Sequence, residues 1–239
     1  MSELRVEGLA KSFGGLRVFE NISFSLPAGA VLGVIGPNGA GKTTLINVIS
    51  GRLTPSEGRV ILDGRDVTGW PTHALSKLGV ARSFQQTNTF RGVSVRENLA
   101  RAIRFGHGTE GDLARLLHDF GLGDRLEEQS DKLPYGLQKM LGLLMAFATG
   151  PRVVLLDEPA AGLERAERHR IDAFVQHACQ AAGCAVLIVE HDMDLIRRLC
   201  PRVLVLDAGA VLADGATVEV LARPDVIAAY LGGDDDEVA

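Results

Sequence analysis

Val31-Leu-Gly-Val-Ile35-Gly36-Pro-Asn-Gly-Ala-Gly41-Lys42-Thr43-Thr44 is a compact apolar run that breaks on a glycine-rich turn, and Leu45, Ile46 and Ile49 then follow at helical spacing. The run reads as a buried strand, and the later residues as a helix closed by Gly51. Between them, Gly36–Thr43 matches the Walker A pattern, in the strand–turn–helix setting that the pattern requires. Glycines at 36, 39 and 41 let the backbone curl until successive N–H groups point at one anion, and the helix N-terminus adds partial positive charge. Lys42 is then expected at the β- and γ-phosphates of a nucleotide and the Thr43 hydroxyl on Mg²⁺, with Asn38, Ala40 and Thr44 completing the cradle.

A second stretch supplies what a phosphate cradle lacks. Val153-Val-Leu-Leu-Asp157-Glu158 is an apolar strand that ends in two carboxylates. Asp157 at the strand end is suited to hold Mg²⁺, and Glu158 to polarise an attacking water as general base. An apolar run ending in Asp-Glu is common by itself; beside a Walker A pattern it points to nucleotide hydrolysis. No Asn-Lys-x-Asp stretch occurs, which removes the main support for guanine specificity.

Working outward, the first part of the 239-residue chain reads as β-structure. Ile22, Phe24 and Leu26 alternate with polar or small residues before a turn at Ala28-Gly29, and Arg59–Leu62 precedes the turn signal Asp63-Gly64. From Asn88 to Gly150 the pattern is helices and loops. Ser94-Val-Arg-Glu97 is a capping box, Leu113, Leu116, Leu117 and Phe120 repeat at helical spacing, and Gln138–Ala148 continues as helix. The last third alternates: strand Val153–Leu156, helix Leu163–Ala182, strand Ala185–Val189, helix Met193–Leu199, strand Val203–Leu206, then a turn at Ala208-Gly209 into Val211–Ala213. That alternation predicts a largely parallel sheet covered by helices, an α/β fold. The expected division is 1–87 for the first part of the nucleotide-binding core, 88–150 for an inserted helical subdomain, 151–231 for the rest of the core, and 232–239 for an acidic tail.

Composition sets the outer limits. With 46% hydrophobic and 23% charged residues the chain has the make-up of a globular protein, and its formal charge of −5 argues against a nucleic-acid partner. Cys179, Cys184 and Cys200 are too few and too irregular for a disulfide framework or a zinc site, and a reducing, cytoplasmic setting suits them. The longest apolar stretches, Leu141–Ala148 and Ala185–Val189, fall far short of the roughly 20 residues that span a bilayer. The first residues carry no apolar core of a signal peptide. His73, His107, His118, His169 and His177 lie on no motif and read as surface residues.

Around the two Walker stretches stands an ordered set of further motifs. Phe13 precedes them; Gln85 ends Ala81-Arg-Ser-Phe-Gln85; Leu133-Pro-Tyr-Gly136-Leu-Gln138 lies one helix before the second strand; Ala161-Gly162-Leu163-Glu164 and His191 follow it. Over about residues 3–232 the sequence resembles the ATP-binding cassette (ABC) family. The resemblance implies a P-loop NTPase cassette with a largely parallel core sheet, an N-terminal antiparallel β part and an inserted helical subdomain. It implies that Phe13 stacks on adenine, that Gln85 ligates Mg²⁺ and senses a membrane partner, and that His191 contacts the γ-phosphate. Pro134, Tyr135 and Gly136 then occupy the signature position, which faces the nucleotide of an opposite cassette. Arg82-Ser-Phe-Gln85, Val95-Arg-Glu97-Asn98-Leu99, Asp157–Leu163, Glu190-His-Asp-Met193, Pro224-Asp-Val-Ile227 and Tyr230-Leu-Gly232 resemble the ATPases of branched-chain amino acid uptake systems.

That resemblance implies ATP and Mg²⁺ as cofactors, transmembrane permease subunits and a second cassette as partners, and a periplasmic or extracellular binding protein as an indirect one. The expected place is the cytoplasmic face of the membrane, and the expected activity is ATP hydrolysis coupled to import. A motor for lipid or lipopolysaccharide export and a soluble, non-transport ABC ATPase are the alternatives, although one compact cassette has neither the doubled cassettes nor the long coiled-coil insertion of the soluble members. Several positions depart from the family pattern. Pro134 and Tyr135 replace the usual signature serine and first glycine, Leu137 stands where glutamine is expected, Met145 where arginine is, and the loop around Gly106–Gly111 is short for the amino-acid branch. Proline offers neither hydroxyl nor N–H, so a weak composite site is expected.

Overall fold

The computed structural model describes residues 3–83, 89–106, 110–165 and 167–231. In chain order these form β1 (Glu3–Phe13), β2 (Leu16–Pro27), β3 (Val31–Ile35), α1 (Lys42–Ile49), β4 (Glu57–Leu62), β5 (Arg65–Asp66), α2 (Thr72–Lys77) and β6 (Val80–Arg82). Three helices follow, α3 (Val95–Phe105), α4 (Glu110–Asp119) and α5 (Tyr135–Ala148). The remainder is β7 (Val153–Asp157), α6 (His169–Gln176), β8 (Ala185–Val189), α7 (Met193–Leu199), β9 (Arg202–Asp207), β10 (Ala210–Ala216), α8 (Thr217–Val220) and α9 (Pro224–Leu231).

Two sheets carry the architecture. One is antiparallel, in the order β2-β1-β4-β5, and the other runs β10-β9-β3-β8-β7-β6. Within the second sheet every pairing is parallel except that of β10 with β9. Every residue of β7 and β8 is buried, as expected of parallel strands covered on both faces. Their alternation splits them between two cores. Val153 and Leu155 join Leu32, Val34, Leu45 and the β1–β2 residues, while Val154 and Leu156 join the helical side with Leu144, Phe147 and Phe174. The central sheet is thus held between the antiparallel sheet and α1 on one face and helices on the other.

Helices α3 and α4 pack on α5 through Val95, Leu99, Leu113, Leu116 and Phe120. Ser94 caps α3 as the sequence predicts, its hydroxyl accepting the Glu97 N–H at 3.2 Å. The Glu97 carboxylate pairs with Arg101 one turn on, at 2.5 Å.

Two expectations are corrected. The predicted helix Leu163–Ala182 begins as α-helix only at His169, because Arg165, Glu167 and Arg168 lie in turns. There the Glu167 carboxylate accepts the Glu164 N–H, and Arg168 is drawn away to Asp192. The same helix ends in a π-helical turn, His177–Ala181. His177 is not a plain surface residue: it is half-buried with its ring edge-on to Phe147, 5.4 Å between centroids. His107, the acidic tail and part of the Gly106–Gly111 loop lie outside the described residues.

Candidate nucleotide site

Parallel pairing decides where the site lies. Val34 of β3 is in register with Val189 of β8, and Val189 with Asp157 of β7, so three neighbouring strands end together. The loops that leave them carry Gly36–Gly41, Glu158, and Glu190-His191. Ligands of open parallel sheets bind at such carboxyl ends.

The first loop is built around close backbone approach. Gly36 is buried, and a Cβ there would lie 2.0 Å from the Leu206 carbonyl oxygen, so no other residue fits. Gly41, at φ 96°, caps α1 in a left-handed conformation that glycine adopts freely. Ala40 is buried, Asn38, Gly39 and Thr43 are exposed, and Thr44 is half-buried. The Lys42 ammonium donates to the Gly36 and Pro37 carbonyls at 2.7 and 2.8 Å. Burial holds its pKa below the ordinary lysine value, and the charges of Glu158 and Asp157 oppose that shift. The register of β3, β8 and β7 sets the loop that bears Lys42 at the same sheet edge as the two carboxylates.

Asp157 is buried and paired at 2.7 Å with Arg82, which also donates to Asn47 on α1 at 2.6 Å and to Ser50, the C-cap of α1, at 3.1 Å. Burial pushes the Asp157 carboxyl above the usual range, and Arg82 opposes it. Its second oxygen, Oδ1, is buried without a hydrogen-bond partner. Glu158 lies just past the strand with φ 46°, and its N–H donates to Val189 O at 2.9 Å. Such a backbone costs about 1–3 kcal/mol for a non-glycine residue and persists only where its surroundings hold it.

Buried groups that sequence reading passed over complete the surroundings. Lys139 of α5 donates to the Glu158 and Ala161 carbonyls at 3.1 and 2.6 Å. Glu190 accepts from the N–H groups of Ala160, His191 and Asp192. Arg82 could have been suspected as a cation ending the apolar strand Val80-Ala81, and Lys139 as the one cation of an otherwise apolar helix. The His191 side chain is exposed, 3.7 Å from Glu190, in a cleft of about 500 Å³ lined also by Ala160, Gly162, Arg168 and Asp192.

Of the remaining positions, Phe13 ends β1 half-exposed, with the Lys11 ammonium 4.7 Å from its ring centre. Pro134 is the N-cap of α5 and makes no side-chain cap bond; Tyr135 is half-exposed and Gly136 buried. Tyr135 packs on Gly162, where a Cβ would come within 2.9 Å of its ring, and the Glu167 carboxylate lies against Gly136. Gln85 lies outside the described residues. Among the described residues no helix is long and apolar enough to cross a membrane, and no cluster of three or more His, Cys, Asp or Glu could hold a metal unaided.

Known proteins share this fold. Residues 19–161 match the ABC transporter family model, and residues 210–236 the model of the branched-chain amino acid ATP-binding cassette transporter. The high-affinity branched-chain amino acid transport ATP-binding protein LivG of Salmonella typhimurium is 35% identical, covering 96% of this chain and 97% of its own. BraF of Pseudomonas aeruginosa, with the same description, is 34% identical over the same shares. The ADP conformation of MJ1267, an ATP-binding cassette of an ABC transporter, superposes with a TM-score of 0.84 at 30% identity, covering 97% of this chain and 99% of that one. With this sheet and these matches over nearly its whole length, the chain belongs to the ATP-hydrolysing ATP-binding subunits of ABC transporters, in the branched-chain amino acid branch.

Proposed function

We propose that the chain drives the import of branched-chain or related amino acids, working at the cytoplasmic face of a membrane against permease subunits and a second cassette. A binding protein on the far side delivers the solute to those permeases. The observation that carries the reading is the common end of β3, β8 and β7, which brings the Gly36–Lys42 loop to the sheet edge where Asp157 and Glu158 lie.

Each residue then has a task. Backbone amides of the Gly36–Gly41 loop and the Lys42 ammonium bind the β- and γ-phosphates, and Phe13 stacks on adenine. The unpartnered Asp157 Oδ1 and the Thr43 hydroxyl fit a hard cation, with Gln85 as a further ligand. Bound there, Mg²⁺ would neutralise charge that develops on the phosphates. Glu158 takes the proton of the attacking water, and His191 holds the γ-phosphate. Pro134, Tyr135 and Gly136 face the nucleotide of the opposite cassette.

Lys42→Ala tests the site: nucleotide binding and phosphate release should both be lost. Reconstituted with its permeases in vesicles, the parent chain should drive ATP-dependent uptake of labelled leucine, and the variant none. Undiminished turnover in the variant would overturn the site, whereas lipid extraction without leucine uptake would favour the export reading.

A further inference from the structure

Lys139 is a buried lysine, 5% exposed, on the first turns of α5. Burial depresses its pKa, opposed by Glu190 and Glu158. Its ammonium reaches out of the helix to the carbonyls of Glu158 and Ala161, the two ends of the turn that follows β7. At the middle of that turn, the Ala160 N–H donates to the buried Glu190 carboxylate at 2.9 Å. A buried cation therefore holds two carbonyls of the turn, and a buried anion one of its amides. The second oxygen of Glu190 accepts the N–H groups of His191 and Asp192, at 3.1 and 3.3 Å, so the same pair shapes the backbone at His191.

The turn needs holding. Glu158 occupies a left-handed backbone, φ 46°, which glutamate rarely adopts. One flanking peptide is fixed by the bond of its N–H to Val189, and the other by the bonds that its carbonyl accepts from Ala161 N–H and Lys139. Rotation of either peptide would swing the Glu158 carboxylate. The face of α5 that bears Lys139 also bears Gly136, three residues earlier, against Glu167, while neighbouring Tyr135 rests on Gly162. The first turns of α5 and residues 158–162 are thus joined at successive points.

We propose that Lys139 is a positioning residue for ATP hydrolysis: through the Glu158 and Ala161 carbonyls it fixes the Glu158 carboxylate relative to α5. The consequence is communication between sites. On the proposed reading the N-terminus of α5 faces the nucleotide of the opposite cassette, so a shift of α5 on closure would be passed to the Glu158 of its own site. The proposal rests on the reading of Glu158 as the base.

The test compares Lys139→Met, which keeps the apolar stem and loses the donors, with Lys139→Arg, which keeps both charge and donors. Both are made in the full chain assembled with its partners. Lys139→Met should lower kcat roughly 10–100-fold, the usual effect of displacing a catalytic group by about an ångström. Its KM and ATP affinity should change by no more than about twofold, since the phosphate loop is untouched. Lys139→Arg should recover most of the rate. Glu158→Gln added to Lys139→Met should slow turnover far less than it slows the parent, because the carboxylate is already misplaced. A lysine that only supports the fold would lower ATP-binding stoichiometry and leave kcat per bound nucleotide unchanged, which overturns the proposal. If Lys139→Met does not fold, Lys139→Gln, which retains an amide donor, is read against Lys139→Arg by the same criteria. A Glu158→Gln variant with parental turnover overturns the base assignment itself; a slow Glu158→Gln beside a fast Lys139→Met overturns only the role given to Lys139.

Discussion

Arg82 and Asp157 are opposite charges taken almost wholly out of water, with side chains 7% and 3% exposed. Such a pair need not stabilise a fold more than apolar residues would, but removing one member strands the other. Arg82→Met should therefore destabilise the protein by about 3–5 kcal/mol in denaturant unfolding at neutral pH. The sign of the pH dependence follows from Asp157, whose folded pKa is already raised by burial and rises further without Arg82. A raised carboxyl pKa penalises the folded state wherever the group is ionised, and that penalty fades as pH falls through the folded value. The gap between variant and parent should narrow from pH 7 towards pH 5; a constant gap would refute the stranded-charge account. The cysteines give a second prediction. Burial pushes the thiols of Cys179, Cys184 and Cys200 up to about 12, 11 and 12, so thiolate is scarce at neutral pH. A chromogenic thiol reagent should react only as the protein unfolds, and fast labelling under native conditions would contradict the burial. Lys42, Asp157 and Glu158 were legible in the sequence because a spaced motif announces them. Arg82, Lys139 and Glu190 were not, because their partners are distant in sequence or are backbone atoms, which leave no mark on local pattern.

Among elements, legibility followed burial. β3 and β8 have the bounds that their apolar runs predict, because both faces of each strand are covered and little polar sequence intrudes. β7 extends one residue beyond its apolar run, to Asp157, which pairs with Val189. The start of α6 lies later than the sequence predicts because Glu164, Glu167 and Arg168 look like helix formers but are engaged in turns and in the ion pair to Asp192. No strong periodicity marks α2, six residues between Pro71 and Gly79, so the sequence predicts no helix there. α5 itself carries a testable defect. Its N-cap is Pro134, without a side-chain cap bond, where serine would cap well. Pro134→Ser should stabilise the chain by about 0.5–1 kcal/mol, seen as a higher thermal midpoint in the absence of nucleotide. No rise, or a fall, would mean that the fixed backbone of proline outweighs the missing cap.

For the whole molecule the question is how well two copies complete each other. On the proposed reading each site takes donors from the opposite α5, and in this chain those donors are weakened in two ways. Pro134 has no N–H or hydroxyl to offer, and the Glu167 carboxylate, its charge shared with Arg170 at 3.3 Å, lies against Gly136 near the place that a partner's γ-phosphate would approach. A charge-assisted hydrogen bond contributes about 1.5–3 kcal/mol, so losing even one weakens closure by roughly tenfold or more. Glu158→Gln isolates this effect, because it keeps the shape of the site while removing the proposed base, so that ATP should persist instead of turning over. With ATP and Mg²⁺, the Glu158→Gln chain alone should remain largely monomeric in sedimentation. A sibling cassette with serine and glycine at the signature positions should draw it into a dimer, since this chain's own phosphate loop and strand-end carboxylates are in place. Adding Pro134→Ser and Glu167→Gln to Glu158→Gln restores a donor and removes the charge, and should strengthen self-association at least about tenfold. The competing account is that the N–H groups of Tyr135 and Gly136 suffice. It predicts a tight ATP-dependent homodimer of Glu158→Gln with no gain from the added substitutions, and that result would make the chain an equal partner to itself.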